Sequence, residues 1–381
     1  MQSPICLIMT NKELFYFTGK CMMLDEHPGF RQEIIEKINT DSIDWQKFVA
    51  FCSNHLILPV IYLKFNSHGI IKYLPEDLSG FLKEIYDLNL SRNNQILEQL
   101  QEITDILNKS NIYPVFLKGA GNLLDNLYSN IGERILADID FLVPEEDYLI
   151  SAKLLENEGY SIANPFCYDI ESVHHYPGIM KPGVPAHLEI HRLLTKNYKS
   201  WFNTSIIDKE KKTVTALKGC YVLSDNHKII NNFTHSQLDH MGHIYGSVTF
   251  RDLYDLYLLS KRSDLKQTIP GIKNKQMAIA YFVFAGKAFG LNEKFYAGSN
   301  LSLWFFTKKH DLNLSSTTFY NVNRSIIYIL HRIFSAYIGQ LIKSFSSKKI
   351  RQSVINRLGD PKWYSGHLHS YISFLSPNKK A

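Results

Sequence analysis

The segment Pro114–Val143, PVFLKGAGNLLDNLYSNIGERILADIDFLV, decides the fold because it joins a Lys-Gly turn to two aspartates that alternate along a strand. Within Leu136–Val143, apolar residues alternate with Asp138 and Asp140 at the period of two that predicts a β-strand. Both carboxylates then lie on one face, where they repel each other unless a cation neutralises them. Oxygen ligands of this kind suit Mg²⁺, which usually completes its coordination with waters and substrate phosphates. The segment therefore suggests metal-assisted phosphoryl chemistry, although an isolated Asp-x-Asp triplet is more often a solvated turn.

A glycine-containing turn precedes the two aspartates. Val115–Leu117 is expected to form a short buried strand and Gly119–Tyr128 a helix, with Lys118–Gly121 as the turn between them. Glycine lets backbone N–H groups approach a ligand closely, and a helix N-terminus favours anions, so a triphosphate could lie across this turn. Lys118 would add a positive charge. The alternative is a tight strand-to-helix turn without a ligand.

A third acidic residue comes from the segment Ala186–Arg192, in which leucine and isoleucine alternate with His187, Glu189 and His191. This alternation predicts a strand with one polar face, on which Glu189 is the candidate metal ligand. Three carboxylates on two neighbouring strands could hold two ions roughly 3.5–4 Å apart, one activating an acceptor hydroxyl and the other holding the leaving pyrophosphate. The alternative for Glu189 is an exposed charge on an edge strand.

Together, these segments resemble the bacterial nucleotidyltransferase-like family of the polymerase-beta-type nucleotidyltransferase superfamily. The likeness covers Trp45–Leu259 and is carried by the Lys-Gly turn, an arginine before Asp-Ile-Asp-Phe-Leu-Val, and the later Leu-Glu-Ile-His. It implies an α+β fold, in which a small mixed β-sheet nucleotidyltransferase core is flanked by N-terminal and C-terminal α-helical modules. Gly119 is followed by Ala120, whereas the superfamily usually has Gly-Gly or Gly-Ser at this point. The resemblance and the residue chemistry together predict that Asp138, Asp140 and Glu189 are catalytic and bind metal. They also predict that phosphate is bound by Lys118, Gly119, Ala120, Gly121 and Arg134.

The predicted reaction is a nucleotidyl transfer that depends on Mg²⁺ (or Mn²⁺). An acceptor hydroxyl attacks the α-phosphate of a nucleoside triphosphate, ATP among them, and pyrophosphate leaves in line. The sequence leaves open whether the acceptor is a small molecule, an RNA end or a protein. One alternative is a catalytically silent nucleotide-binding or metal-binding interaction module of the same fold, and another is a nuclease or phosphohydrolase that uses the same metal pair.

Three modules are expected along the chain. Residues 1–110 would form an N-terminal helical module, residues 111–225 the nucleotidyltransferase α/β core, and residues 226–381 a C-terminal helical module with a basic tail. A loop is expected over residues 164–185, which are rich in proline and glycine. The spacing of apolar residues predicts N-terminal helices over Asn11–Leu24, Phe30–Ile38, Asp44–Phe65 and Pro75–Asn108.

Charge is distributed unevenly. From Phe319 to Ala381 there are ten lysines and arginines against Asp360 alone, a net charge of +9, which leaves −3 for the rest of a chain whose total is +6. Apolar residues recur at helical spacing over 326–345, where charged residues interrupt them too often for a transmembrane span. A long amphipathic helix is expected, with an anionic partner that is RNA, a membrane surface or acidic protein residues, or else only a solvated basic face.

The number and spacing of the cysteines indicate whether the protein works in a reducing or an oxidising compartment. They are odd in number and far apart, so neither a disulfide framework nor a zinc knuckle is signalled, and a reducing compartment is expected. No basic region precedes the short apolar run Ile5–Met9, so export is not indicated. A cytoplasmic protein is predicted. The cysteines are Cys6, Cys21, Cys52, Cys167 and Cys220.

For His235, His240 and His243 a structural or substrate-facing role is expected rather than zinc binding, because too few further ligands lie nearby. His174 and His175, ahead of Glu189, are candidate acceptor-side groups. The resemblance also implies that a helix carrying Arg251 and Asp255 lines the cleft. A probable helix is expected to carry His235, His240 and His243.

Overall fold

The computed structural model describes residues 8–163, 174–195, 201–346, 348–361, 363–366 and 368. The chain divides into two compact units. The first comprises residues 1–243 and 247–307, and the second comprises residues 244–246 and 308–381. The module boundaries expected at residues 110 and 225 stay a prediction.

The first unit begins with five helices. The helix expected over residues 44–65 is in fact two helices, because Leu56 adopts a left-handed φ of 56° and Pro59 lies in the first turn of the second helix. Thr10 starts the first helix with a capping box, in which the N–H of Glu13 donates to Thr10 Oγ1 and the N–H of Thr10 donates to the Glu13 carboxylate. The helices are α1 Asn11–Met22, α2 Pro28–Asn39, α3 Trp45–Asn54, α4 Leu58–Ser67 and α5 Glu76–Asn108.

A mixed sheet follows and carries the site. Its strands are β1 Val115–Phe116, β2 Asp138–Leu142, β3 Ser161–Ile162, β4 Ile179–Met180, β5 His187–His191, β6 Lys212–Thr213 and β7 Tyr221–Val222. They are ordered β3-β4-β5-β2-β1-β7-β6. Strand β2 is parallel to β5 and antiparallel to β1. The predicted α+β class, with a small mixed sheet between helical segments, is confirmed.

Further helices lie between and after the strands of this sheet. Helix α7 packs against α5 and β5, and α6 packs against β1, β2 and β7. With these helices packed against the sheet, β2 is buried over most of its length, with Ile139 and Phe141 fully inaccessible and Leu142 nearly so. The helices are α6 Lys118–Leu124, α7 Tyr148–Asn157, α8 Thr204–Glu210, α9 Asp225–Phe233, α10 Gly242–Tyr245, α11 Phe250–Ser260, α12 Leu265–Thr268, α13 Lys275–Ala288 and α14 Leu301–Ser315.

The second unit contains α15 Thr317–Arg332, a π-helical stretch at Ile333–Ile338, α16 Gly339–Ser346 and α17 Lys348–Leu358. The helical periodicity predicted there is confirmed. Its apolar side chains are exposed at helical spacing, and we call this set the C-terminal stripe. The C-terminal stripe consists of Phe319, Val322, Ile326, Leu330, Ile333, Phe334, Ile338, Leu341, Ile342 and Phe345.

Some predictions concern residues that the structure does not describe. Cys6 and Cys167, the first part of the loop expected over residues 164–185, and the basic residues Lys362, Lys379 and Lys380 lie outside the described residues. Cys21, Cys52 and Cys220 are buried free thiols. Among the described residues, no helix combines the length and the apolar character that crossing a bilayer requires. The cytoplasmic location stays a prediction.

Candidate active site

Strands β2 and β5 bring two predicted site residues together. Their parallel register pairs Asp140 directly with Glu189, and Asp138 with His187. Side chains of paired residues lie on the same face of a sheet, so the carboxylates of Asp140 and Glu189 are neighbours. The residues between them on the opposite face, Ile139 and Leu188, are fully buried, which fixes this register because a slip of one residue would expose them.

His191 completes this cluster. It lies two residues after Glu189 on β5 and therefore on the same face. One ligand atom from each of Asp140, Glu189 and His191 can be chosen so that all three lie within 4.8 Å of one another. Asp138 is not a member of this close group. His191 belongs to the same alternation that predicted Glu189 as a ligand, so the sequence contained a signal for His191 although only Glu189 was predicted.

Asp140 is buried and neutralised by two neighbours. Its Oδ1 accepts a hydrogen bond from Lys118 Nζ at 2.7 Å and another from His191 Nε2 at 2.8 Å. Burial disfavours the charged form, but the positive charge of Lys118 and the hydrogen bond from His191 outweigh it and hold the pKa of Asp140 well below its usual range. Asp140 is therefore a carboxylate whose charge these two side chains already compensate.

The other two carboxylates respond differently to the same surroundings. Burial and the nearby charge of Asp140 raise the pKa of Asp138, which is the like-charge repulsion expected from the alternation. Burial also acts against ionised Glu189, but the imidazole of His191, whose Nε2 lies 3.6 Å from Glu189 Oε2, outweighs it, and the pKa of Glu189 is lowered. Burial is thus the main cause of the raised pKa of Asp138, the charge of Asp140 adds to it, and a bound cation would oppose both.

The Lys-Gly turn lies next to Asp140. Lys118 adopts a left-handed φ of 47° and begins α6. A Cβ at Gly121 would lie 2.4 Å from the backbone oxygen of Phe116, so this glycine allows α6 to pack closely against β1. Ala120 is buried as well. Of the four residues predicted to bind phosphate here, Lys118 and Gly119 therefore line a cavity, whereas Ala120 and Gly121 pack α6 against the sheet.

Arg134 has a partner that the sequence did not indicate. Its Nε and Nη2 donate to the Asp255 carboxylate at 2.9–3.2 Å, and Tyr128 also donates to Asp255 at 2.9 Å. Burial disfavours the guanidinium charge, but Asp255 outweighs it and raises the pKa of Arg134. This buried ion pair joins the predicted core to α11. The role of Arg134 at a phosphate stays a prediction, and this pairing argues against it.

A cavity of about 300 Å³ lies beside these residues. Lys118, Asp138, Glu189 and His191 line one side of it. Asp140 itself is only 1% exposed and lies behind Lys118 and His191. A ligand that enters the cavity therefore meets Asp138 and Glu189 first and reaches Asp140 only by displacing one of its partners.

Helices α9 and α11 form the opposite side. Lys228, Arg251 and Asp252 line the cavity there, and Asp255 does so together with Arg134, as the resemblance implied for Arg251 and Asp255. Burial disfavours ionised Asp252, but Arg251, whose Nε lies 3.3 Å from Asp252 Oδ1, outweighs it and lowers the pKa of Asp252 to about 2. Lys228 was not among the residues predicted from the sequence.

Two groups of histidines border the cavity. The rings of His174 and His175 lie 5.8 Å and 5.2 Å from the ring of His191, so three imidazoles cluster at β5. His235 lies in a π-helical turn, Thr234–Asp239, with its ring 4.1 Å from that of His240. His243 stacks on Phe306 instead and is hydrogen-bonded to Ser302. The lining histidines are His174, His175, His191, His235 and His240.

Comparison with known proteins agrees with this geometry. A family described as "Uncharacterised nucleotidyltransferase" matches residues 41–282, which include both strands of the carboxylate pair and both helices of the opposite wall. Searches of curated proteins and of solved structures returned no significant match. The matched segment is well over half of the chain. The chain therefore belongs to this family of uncharacterised nucleotidyltransferases.

Proposed function

We propose that this protein is a nucleotidyltransferase that depends on a divalent cation and moves a nucleoside monophosphate from a nucleoside triphosphate to a hydroxyl acceptor. The observation that carries the proposal is the direct pairing of Asp140 with Glu189 across β2 and β5, beside a cavity that Lys118 and Arg251 also line. A family of nucleotidyltransferases supplies the reaction class. Which base and which acceptor are used stays open.

The residues present fit a divalent cation such as Mg²⁺ or Mn²⁺. Asp138, Asp140 and Glu189 offer carboxylate oxygens on one face of two adjacent strands. Burial and the charge of Asp140 raise the pKa of Asp138, and a cation would stabilise its ionised form. These three residues would hold the cation. When bound, such a cation stabilises negative charge on the transferred phosphate and lowers the pKa of a coordinated hydroxyl.

Lys118 links cation binding to phosphate binding in this proposal. It now donates to Asp140, and it also lines the cavity. A cation held by Asp140 would weaken the ion pair between Lys118 and Asp140, because the cation and the ammonium group would share the charge of one carboxylate. The ammonium group of Lys118 would then reach the β- and γ-phosphates. Arg251, whose side chain is 20% exposed, is better placed than the buried Arg134 to offset charge on the transferred group.

In the transfer step, the acceptor oxygen forms a bond to the α-phosphorus. The bond from that phosphorus to the bridging oxygen of the β-phosphate breaks, pyrophosphate leaves, and the hydroxyl proton passes to water. Lys118 and Arg251 would hold the triphosphate so that the entering and leaving oxygens are in line. No covalent intermediate on the protein is required.

The test is a transfer assay with each α-³²P-labelled nucleoside triphosphate, ATP first, supplied with Mg²⁺ or Mn²⁺ and a mixture of candidate acceptors. Wild-type protein should label an acceptor and release pyrophosphate, and Asp140→Asn should do neither while remaining folded by circular dichroism. Asp208→Asn is the matched control, because this aspartate is exposed and pairs only locally with Lys211 among the described residues. Undiminished transfer by Asp140→Asn would refute the assignment.

One observation favours a second candidate function. Because Asp140 is already paired with Lys118 and His191, the site has a stable arrangement that needs no cation. In that case the chain would be a catalytically silent module that binds nucleotide or metal for a partner. Calorimetry that detects binding of a nucleoside triphosphate, in a protein that releases no pyrophosphate with any acceptor, would favour this candidate. Release of inorganic phosphate or cleavage of nucleic acid would indicate a phosphohydrolase or nuclease instead.

The C-terminal region, residues 319–381, would meet an anionic partner. It carries a net charge of +9, and the C-terminal stripe adds exposed apolar side chains, of which Phe345 is 83% exposed and Ile342 64%. A helix with an apolar face and a basic remainder is typical of helices that lie on anionic lipid surfaces. Of the partners considered from the sequence, a lipid surface accounts for both features, whereas RNA accounts for the charge alone.

A further inference from the structure

We propose that His191 is a direct ligand of the site's cation, so that the site binds a divalent transition metal in preference to Mg²⁺. This inference rests on the proposed function for the presence of a cation. It adds a nitrogen ligand to the carboxylates, and it thereby specifies which cation the site selects.

The distances around His191 are those of neighbouring ligands of one ion. His191 Nε2 lies 2.8 Å from Asp140 Oδ1 and 3.6 Å from Glu189 Oε2. Ligand atoms that lie about 2.1 Å from one ion are separated by roughly 3.0 Å in octahedral and roughly 3.4 Å in tetrahedral geometry. Small movements of these side chains would therefore bring two oxygens and one nitrogen to coordination distance. The proton on Nε2 would pass to water as the ion binds, and Nδ1, which lies 3.4 Å from the backbone oxygen of Leu193, would carry the remaining proton.

The backbone holds His191 in this position. It follows Glu189 by two residues on β5, and its own backbone forms a bridge with His175. The side chain of His191 is 3% exposed, so the imidazole has little freedom to turn away from the two carboxylates. A ligand fixed in this way loses little conformational entropy when an ion binds.

His175 is suitably oriented to assist. Its Nδ1 lies 2.7 Å from the backbone oxygen of Tyr176, a bond that requires the proton on Nδ1 and leaves Nε2 with a lone pair. Metal-binding histidines commonly have this arrangement, in which a backbone carbonyl fixes the tautomer. The rings of His175 and His191 lie 5.2 Å apart, and His175 is outside the close group of Asp140, Glu189 and His191, so its ring would have to move to bring Nε2 to the same ion.

Ligand chemistry then determines selectivity. Mg²⁺ prefers oxygen ligands and keeps its waters, whereas affinity for nitrogen-containing sites rises from Mn²⁺ through Co²⁺ to Ni²⁺. A site that combines these carboxylates with one or two imidazoles should therefore rank Co²⁺ above Mn²⁺ and Mn²⁺ above Mg²⁺. A site of carboxylates alone would show a much weaker order.

The experiment combines spectroscopy with calorimetry on the full chain. Mn²⁺ is added to the nucleotide-free protein, and electron spin-echo envelope modulation detects ¹⁴N bound directly to the ion. Calorimetric titrations give the affinities for Mg²⁺, Mn²⁺ and Co²⁺. The variants are His191→Gln and His175→Gln, and the matched control is His187→Gln, which alters an exposed histidine on the same face of β5.

Wild-type protein should show the nitrogen coupling and bind Mn²⁺ at least about tenfold more tightly than Mg²⁺. His191→Gln should remove the coupling assigned to this residue and weaken Mn²⁺ binding by about 10- to 100-fold, whereas His187→Gln should change neither. His175→Gln should have an intermediate effect. The wild-type spectrum tests the proposal even if a variant fails to fold.

The outcomes separate this inference from the proposed function. Nitrogen coupling without any pyrophosphate release would support His191 as a ligand and refute the transferase. Nucleotidyl transfer with equal affinity for Mg²⁺ and Mn²⁺ and no nitrogen coupling would support the transferase and refute His191 as a ligand. Absence of binding by all three cations at millimolar concentration would overturn the ligand assignment.

Discussion

The cavity of the first unit and the C-terminal stripe of the second both depart from the usual distribution of side chains. The cavity is bordered by buried charged residues, whereas the C-terminal stripe exposes apolar ones. Around the cavity, the charged residues Asp140 and Arg134 are 1% and 6% exposed. In the C-terminal stripe, Phe334 and Phe345 are 62% and 83% exposed. Folded proteins normally bury phenylalanine and leave unpaired charges in water.

The difference shows what each region needs from its surroundings. The buried charges have partners within the protein: Arg134 pairs with Asp255, and Asp140 pairs with both Lys118 and His191. They are therefore stable without a ligand, although the cavity beside them has room for one. The exposed apolar side chains of the C-terminal stripe gain stability only when something covers them. Substitutions in the cavity should therefore alter stability and chemistry, whereas substitutions in the C-terminal stripe should alter association.

The largest effect should come from Arg134→Ala. This change leaves Asp255 buried without its cation, and loss of one member of a buried ion pair typically costs about 3–5 kcal/mol. Urea denaturation should show a correspondingly lower free energy of unfolding. Lys83→Ala, which removes an exposed pair with Asp87, is the control and should leave the midpoint unchanged. Equal midpoints for both variants would mean that the buried pair does not stabilise the fold.

Glu189→Gln should reduce nucleotidyl transfer by about 10²–10³-fold, because several kcal/mol of cation-dependent stabilisation of the transition state would be lost. Steady-state kinetics should assign most of the loss to kcat. Glu145→Gln is the control, since Glu145 is 60% exposed and pairs with Arg192. If Glu189→Gln and Glu145→Gln retained the same kcat, Glu189 would have no part in the chemistry.

The pairing of Asp252 with Arg251 should make stability depend on pH. The pKa of Asp252 is about 2 in the folded protein and near 3.8 when unpaired, so its contribution is complete above about pH 4 and is lost as the pH falls towards 2. Asp252→Asn should flatten the stability curve over that interval relative to Asp87→Asn, which alters an exposed aspartate. Parallel curves for the two variants would contradict the assignment.

The smallest effect on the fold should come from the C-terminal stripe. Replacing both Ile326 and Phe334 by serine should leave the melting temperature unchanged but weaken sedimentation with vesicles that contain phosphatidylglycerol. Binding should decrease at high salt, since each basic residue near such a surface contributes about 1 kcal/mol. Asn321→Ser on α15 is the control. Binding to polyuridylate but not to vesicles would identify RNA as the partner.

Local patterns predicted the strands well. The alternation around Asp138 and Asp140, and the one around Glu189, each identified a real strand, β2 and β5. Both patterns are local consequences of a polar and an apolar face. The alternation marked Glu189 as a candidate third carboxylate, and the resemblance supported it. The choice of β5 as the parallel neighbour of β2 could not be read from the chain, because β3 and β4 come between them in sequence.

Long-range partners could not be predicted in the same way. Arg134 was predicted to bind phosphate because the resembling family carries an arginine at this place and a planar guanidinium can hold a phosphate, yet its partner Asp255 lies 121 residues away. Gly121 looked like part of a phosphate turn because its sequence does not reveal that the oxygen of Phe116 occupies the space of a Cβ. Such contacts depend on how elements pack, which single-sequence patterns do not encode.

The most direct test of the whole account is anomalous diffraction from crystals soaked with Mn²⁺ and a non-hydrolysable nucleoside triphosphate. If Asp140 and Glu189 hold the cation, a manganese peak should lie within coordination distance of both, and Lys118 should have moved from Asp140 to the phosphates. Absence of a peak there, with Lys118 and His191 still bonded to Asp140 and the nucleotide elsewhere, would contradict it.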